Sequence, residues 1–201
     1  MNQEAPVGRR ERNKLEKLER ITAVARELFA EKGISEVTTN EVALRAEIAA
    51  GTLFLYAKTK GELLLLAQNA SYAEAHQLGL EAAGKHKEPV AAILALIKPI
   101  IACNREHVEN GRTYLQEVVF GASSGGYRQQ AIESMAETER AVAEIAARST
   151  AHHDELGVNR ARAAMAILFL TLSSPLNLAM SVDELLDEIK AQLVTLFRFE
   201  A

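Results

Sequence analysis

Residues 21–66 read ITAVARELFAEKGISEVTTNEVALRAEIAAGTLFLYAKTKGELLLL, and the order of spacing, stops and caps in this stretch decides the fold. From Arg12 onward, Leu15, Leu18, Ile21, Ala25, Leu28 and Phe29 recur at three- and four-residue intervals, which predicts an amphipathic helix. Lys32-Gly33 predicts its end, with a cation in the last turn and then a residue that accepts a left-handed cap. Ser35, Thr38, Thr39 and Asn40 offer side-chain oxygens to cap a second, short helix starting at Glu41-Val42. Val42, Ala43 and Ala46 can face inward. The pattern breaks near Glu47-Ile48 and resumes with Ala49-Ala50-Gly51-Thr52-Leu53-Phe54-Leu55-Tyr56. A longer helix followed by two short ones across a tight turn is the arrangement of a three-helix DNA-binding module.

Working outward, Thr59 with Glu62 three residues on predicts a capping box and a long helix from about Lys60. Its first turns, residues 63–67, are apolar on nearly every side, as expected where two packed units meet. Further helices are expected near 88–109, 111–121, 128–150, 156–173 and 182–199, with Pro99 kinking the first of these. Residues 121–126, which contain Ser-Ser-Gly-Gly, predict a loop, and Ser174-Pro175 a break. The expected fold class is all-α, with about nine helices.

Composition agrees with this picture. The chain has 201 residues, of which 48% are hydrophobic, with only 4 prolines and no tryptophan, so a helical protein with a sizeable core is expected. A single cysteine, Cys103, forms no internal disulfide, and residues 1–14 hold no apolar stretch of the secretory kind, so a cytoplasmic location is expected. The apolar run 163–172 is too short to cross a bilayer, and no membrane partner is expected. Net charge is −4, yet residues 1–62 hold 11 Lys and Arg against 10 Asp and Glu, while the remainder holds 12 against 17. Arg9, Arg10, Arg12 and Lys14 gather the positive charge at one end, as a basic N-terminal arm. No glycine-rich phosphate loop, nucleophile elbow or metal-ligand spacing is present, so no catalysis, cofactor or metal is expected. Adjacent His152-His153 would not face each other on a helix, and they are not expected to bind metal.

Residues 21–66 resemble the DNA-binding segment of the tetracycline-repressor (TetR) family of transcriptional regulators. Three pieces carry the likeness: Leu28-Phe29-Ala30-Glu31-Lys32-Gly33, Thr38-Thr39-Asn40-Glu41-Val42-Ala43, and residues 51–56 followed by Lys60. The resemblance implies a DNA-binding domain over 1–62 and a ligand-binding and dimerisation domain over 63–201. It implies that Thr38, Thr39 and Asn40 touch phosphate or the groove rim. Independently, a helix N-terminus directs N–H groups and positive dipole at anions. It also implies a recognition helix over 49–56, with Ala49, Ala50, Gly51 and Thr52 in the major groove, and phosphate contacts from Tyr56 and Lys60. The sequence departs from the family pattern at Glu47 (usually Gly), Ala49 and Ala50 (commonly Ser and Lys), Phe54 (commonly Tyr) and Ala57 (commonly Phe). With no Arg or Asn in this helix, readout of thymine methyls and groove shape is expected rather than of guanine edges. The N-terminal arm is then expected to add minor-groove or phosphate contacts.

By the same resemblance the protein is a ligand-responsive repressor acting as a homodimer on double-stranded operator DNA with pseudo-palindromic symmetry. The alternative is a helical carrier or protein-interaction module that has lost DNA binding. The C-terminal helices carry broad apolar faces (Met165, Ile167, Leu168, Phe169, Leu170 and Leu172; Leu185, Leu186, Ile189, Leu193, Leu196 and Phe197) that either pair with a second copy or bury in the chain's own core. A small-molecule effector is expected among the middle helices. Its candidate contacts are Cys103, His107, Tyr114, Gln116, Phe120, Phe169 and Asn177, which set polar atoms among apolar neighbours.

Overall fold

The computed structural model describes residues 8–121, 125–148 and 155–197. Residues 1–7 of the expected arm, the centre of the 121–126 loop and the His152-His153 pair lie outside them. Among the described residues the fold is all-α: α1 (Arg9–Glu36), α2 (Thr39–Arg45), α3 (Ala50–Leu53), α4 (Lys60–Ala83), α5 (Pro89–Arg105), α6 (Val108–Phe120), α7 (Gly126–Ala147), α8 (Glu155–Ser173), a 3-10 turn (Pro175–Asn177) and α9 (Val182–Leu196).

α1 starts earlier than the apolar stripe indicates, because Arg9–Glu11 and Arg12 are good helix formers that need no buried face. Ile21, Ala25, Leu28 and Phe29 are buried and Leu18 packs against the core, whereas Leu15 is exposed. The regular helix breaks at Gly33, whose φ of 78° and ψ of 164° lie outside helical space. An added Cβ there would also lie 2.4 Å from the His107 ring, so glycine is required twice over. The break frees backbone groups, and Asn110 of α6 satisfies them. Its Oδ1 accepts from the Ile34 N–H at 2.7 Å, and its Nδ2 donates to the Phe29 carbonyl at 2.6 Å. A tertiary side chain thus caps α1, and Ser35 adds a hydrogen bond to Glu109 at 3.0 Å.

α4 is the spine. Thr59 caps it by accepting from the Glu62 N–H at 3.0 Å, and the Glu62 carboxylate accepts from the Lys58 N–H at 2.7 Å, one residue earlier than a regular capping box. Leu63, Leu64, Leu65, Leu66 and Ala67 are all buried. α4 packs against α1, α5, α6 and α7 along its length, and with these five residues all buried this part of it leaves no side for solvent. Each such leucine contributes about 1.5–3 kcal/mol of burial. Arg26 of α1 makes a paired hydrogen bond to Glu74 of α4, both contacts at 2.8 Å, on the same seam. Further along, α4 and α5 touch backbone to backbone at Gly79, where a Cβ would lie 2.1 Å from the Leu96 carbonyl oxygen.

α5 begins at Pro89 under a Glu88 cap and runs through Pro99 to Arg105. α9 opens with the full Ser181–Glu184 capping box. One continuous core joins Ile21 near the N-terminus to Phe197 near the other end. Of the C-terminal residues left undecided by sequence, Leu193 belongs to the chain's own core, while Ile167 and Phe169 are half-buried against it.

Candidate nucleic-acid interface and ligand cavity

Thr38 is the N-cap of α2: its Oγ1 accepts from the Glu41 N–H at 3.1 Å, in extended backbone with φ −108° and ψ 151°. Thr38 and Asn40 are exposed and Thr39 is half-buried. α2 is fastened to α1 by two sets of ion pairs, Arg45 with Glu31 at 3.2 Å and Glu27 at 3.7 Å, and Lys32 with Glu41. The second holds the Glu41 carboxyl below its ordinary pKa and the Lys32 ammonium above its own, with the direct hydrogen bond as the main cause.

The turn between α2 and α3 has a specific geometry. Glu47 N–H donates to the Leu44 carbonyl at 3.1 Å and Ile48 N–H to the Ala43 carbonyl at 3.0 Å, the two bonds of a Schellman motif. Glu47 takes the left-handed position, with φ 53°, the only positive φ at a described non-glycine residue. Ile48 closes the motif by packing on the core.

α3 is shorter than expected. Its helical residues are Ala50–Leu53, capped by Ala49, and hydrogen bonds from Leu55 to Thr52 and from Tyr56 to Leu53 tighten the chain into a turn rather than a further helical turn. Leu53 and Ala57 are buried beneath it. Ala49 and Gly51 are exposed, Ala50 and Thr52 half-buried, and no atom lies within 4 Å of a Cβ added at Gly51. Phe54 and Leu55 are exposed beside them, at 46% and 83%. Tyr56 packs on the core with its hydroxyl 3.5 Å from the Lys14 carbonyl, and Lys60 donates to the Ser35 carbonyl at 3.3 Å. Both residues therefore have internal partners besides any external role.

The arm reading needs correction in one respect. Arg9, Arg10 and Arg12 lie within α1, exposed on its first turn, not in an extended segment ahead of it. Such a helix presents its charges to phosphates, but it is too wide to enter a minor groove about 6 Å across.

The middle helices enclose a cavity of about 430 Å³. Of the seven sequence candidates it brings together three: Cys103, Tyr114 and Phe169. Gln116 and Phe120 face a separate outer groove beside Arg112 and Ser173, and Phe120 is 76% exposed. His107 lies under the α1 break beside Arg26 and Asn110. Asn177 is buried elsewhere and donates to the Thr171 carbonyl at 3.1 Å. The sequence reading missed Tyr72, Ile100, Asn104, Met135, Met165 and Leu172, all in the wall. Except at the polar Asn104, their largely apolar character was visible; the rotation of each helix, which decides whether a residue meets a cavity or a neighbour, was not.

The wall is chemically quiet. Burial pushes the Cys103 thiol up to about 11 and the Tyr72 phenol up to about 12, and it raises Tyr114 as well, so all three are neutral near pH 7. The Tyr114 hydroxyl donates to Asn69 Oδ1 at 2.9 Å. Tyr72 Oη lies 2.9 Å from Thr138 Oγ1, which donates its own proton to the Ser134 carbonyl, so Tyr72 is the donor in that pair. Among the described residues, no group of three or more His, Cys, Asp or Glu is placed to hold a metal ion, and no helix is long and apolar enough to cross a membrane.

Residues 21–67 match the family model of bacterial regulatory proteins, tetR family. A search of curated proteins gives no match. Among solved structures, the fold is similar to Thermus thermophilus FadR, a TetR family transcriptional repressor in complex with lauroyl-CoA, at 21% identity and TM-score 0.69, covering 92% of this chain and 97% of that one. A TetR transcriptional regulator from Rhodococcus sp. RHA1 gives 18% identity and TM-score 0.68, over 94% and 99% of the two chains. AibR, in complex with isovaleryl coenzyme A and operator DNA, gives 13% identity and TM-score 0.59, over 88% and 97%. The family resemblance read from residues 21–66 thus recurs over almost the same residues, and the TetR fold extends across nearly the whole chain.

Proposed function

We propose that this chain, with its TetR-family segment at 21–67 and its TetR fold, is a ligand-responsive transcriptional repressor acting as a homodimer on a pseudo-palindromic operator. The observation that carries the reading is the exposed tip at Ala49 and Gly51, with Thr52 half-buried beside it, set by the Glu47 turn next to the capped start of α2, with open space over Gly51. A duplex can approach there without displacing anything. Thr38, Thr39 and Asn40 take the phosphates flanking the groove, Ala49, Ala50, Gly51, Thr52 and Phe54 lie against base edges, and Tyr56 and Lys60 add phosphate contacts. Arg9, Arg10 and Arg12 contribute salt-sensitive attraction from the first turn of α1.

A reading unit over 1–62 and a sensing unit over 63–201 meet at the buried leucines of α4. Val158, Leu170, Leu176 and Val194, exposed at 45%, 65%, 90% and 38%, supply apolar surface for a second copy. An effector in the cavity works by preferring the conformer whose two tips fit DNA poorly, and a coupling of about 1–3 kcal/mol suffices for a response. The protein does this in the cytoplasm, without catalysis.

Site selection from random duplexes, followed by fluorescence anisotropy at several salt concentrations, tests the reading. The expected result is a symmetric site rich in A·T pairs, bound with steep salt dependence and lost when Thr39, Thr52 and Tyr56 are all changed to Ala. A guanine-dominated half-site contradicts the readout, and normal binding by the triple variant overturns the interface.

A further inference from the structure

The cavity wall carries more information than the presence of a cavity. Resting on the regulator reading above, we propose that the effector is an uncharged, largely apolar molecule with a hydroxyl or N–H, and that anionic ligands, acyl-CoA thioesters included, are excluded.

The first observation is charge. No Lys, Arg or His lines the cavity, and its one carboxylate, Glu139, is engaged by Arg162 at 3.2 Å. Arg105, next in sequence to the wall residue Asn104, is not part of the wall; its Nη2 donates to the Leu172 carbonyl at 3.4 Å, while its buried Nε and Nη1 have no partner behind the wall. An anion placed among Ile100, Leu115, Met135, Met165 and Leu168 would lose its hydration with no counter-charge in the wall that touches it. The second observation is hydrogen-bonding sense. Both phenol protons in the wall are committed, Tyr114 to Asn69 and Tyr72 to Thr138, so neither hydroxyl has a proton left to donate to a ligand. Asn104, 9% exposed, adds a buried Oδ1 that has no partner within the protein. The one buried unpartnered atom of the wall is thus an acceptor and neither phenol has a proton to give, which favours a ligand that brings a donor over a carboxylate, which brings none. The third is size, since about 430 Å³ lies in the range of roughly 300–1,000 Å³ that accommodates drug-sized molecules. Ala136 of α7 and Ala166 of α8 line the cavity yet are solvent-exposed, so they mark its mouth.

The test uses the full chain and N-phenyl-1-naphthylamine, a neutral apolar fluorophore with one N–H, as the reporter. Its emission should rise on binding, and 1-dodecanol should displace it at pH 8 at concentrations at least about tenfold lower than dodecanoate or lauroyl-CoA require. The methyl ether of dodecanol, which lacks the donor, should compete less well than the alcohol. A136W and A166W, two substitutions at exposed positions whose helicity is checked by circular dichroism, should each abolish reporter binding by closing the mouth. Dodecanoate or lauroyl-CoA competing as well as the alcohol overturns the proposal. So does equal competition by the ether, failure of the reporter to bind, or its retention in both blocked variants. Operator binding without ligand is measured separately, so loss of the regulator reading and loss of the ligand class give different results.

Discussion

Glu47 offers the sharpest test of how this sequence and this fold fit together. It holds the left-handed corner of the turn between α2 and α3, with φ 53°, in a Schellman motif whose corner residue is usually glycine. A side chain with a Cβ pays about 1–2 kcal/mol for that conformation. Glycine avoids the cost but loses more backbone freedom on folding, which returns about 0.5–1 kcal/mol. Glu47→Gly should therefore stabilise the protein by about 0.5–1 kcal/mol, which for a chain of this size is about 1–4 °C in Tm. Glu47→Ala keeps the Cβ and removes the carboxylate, and Glu47→Gln keeps the side-chain shape without the charge, so neither should reproduce the gain. Urea titrations and calorimetry on the three variants measure the difference. If Glu47→Gly is no more stable than Glu47→Ala, the turn does not carry the strain assigned to it.

Three other expectations follow from packing and protonation. Asn110→Ala removes both bonds that cap α1, leaving the Ile34 N–H and the Phe29 carbonyl unpaired, and should cost about 2–4 kcal/mol in urea unfolding. Gly33→Ala should cost about 2–4 kcal/mol from positive φ and overlap with His107, and adding His107→Ala should recover only the overlap, as a double-mutant cycle would read. His76 has a buried Nε2 without a partner, and burial lowers its pKa below the ordinary value, against a smaller opposing effect of Glu137. The unfolded chain then binds the proton more readily, so this contribution to stability is complete above about pH 6.5 and falls as pH drops below it. His76→Gln should flatten the decline in Tm between pH 7 and 5; an unchanged slope would remove His76 from the account.

Local signals carried well from sequence to structure. Gly33 ends the regular part of α1, Thr38 and Thr59 cap their helices, and 63–67 bury on all sides, because each outcome depends on a few neighbouring residues. The failures share a cause as well. The early start of α1 left no apolar stripe to detect, since its first turns are exposed. The shortening of α3 comes from a tight turn anchored by Leu53 and the buried Ala57, a small residue where the family pattern has a large ring. The cavity could not be assembled from sequence because it depends on how five helices are rotated against one another, and Gln116, Phe120 and Asn177 show how far a correct residue type can sit from the expected place. Asn110 was also missed: nothing near it in sequence announces that it caps a helix 76 residues away.

The four leucines at the start of α4 bear on how this protein can be cut and recombined. A fragment ending at residue 62 would strip away the apolar floor on which α1 rests and the amide that closes its end, so it should not persist as an autonomous module. A chimera that borrows the reading head must carry the graft junction past Ala67, and it must supply a recipient α6 with an amide in register with the break at Gly33. Specificity swaps between relatives of this fold are on that account better made by replacing surface residues of the tip than by exchanging whole segments.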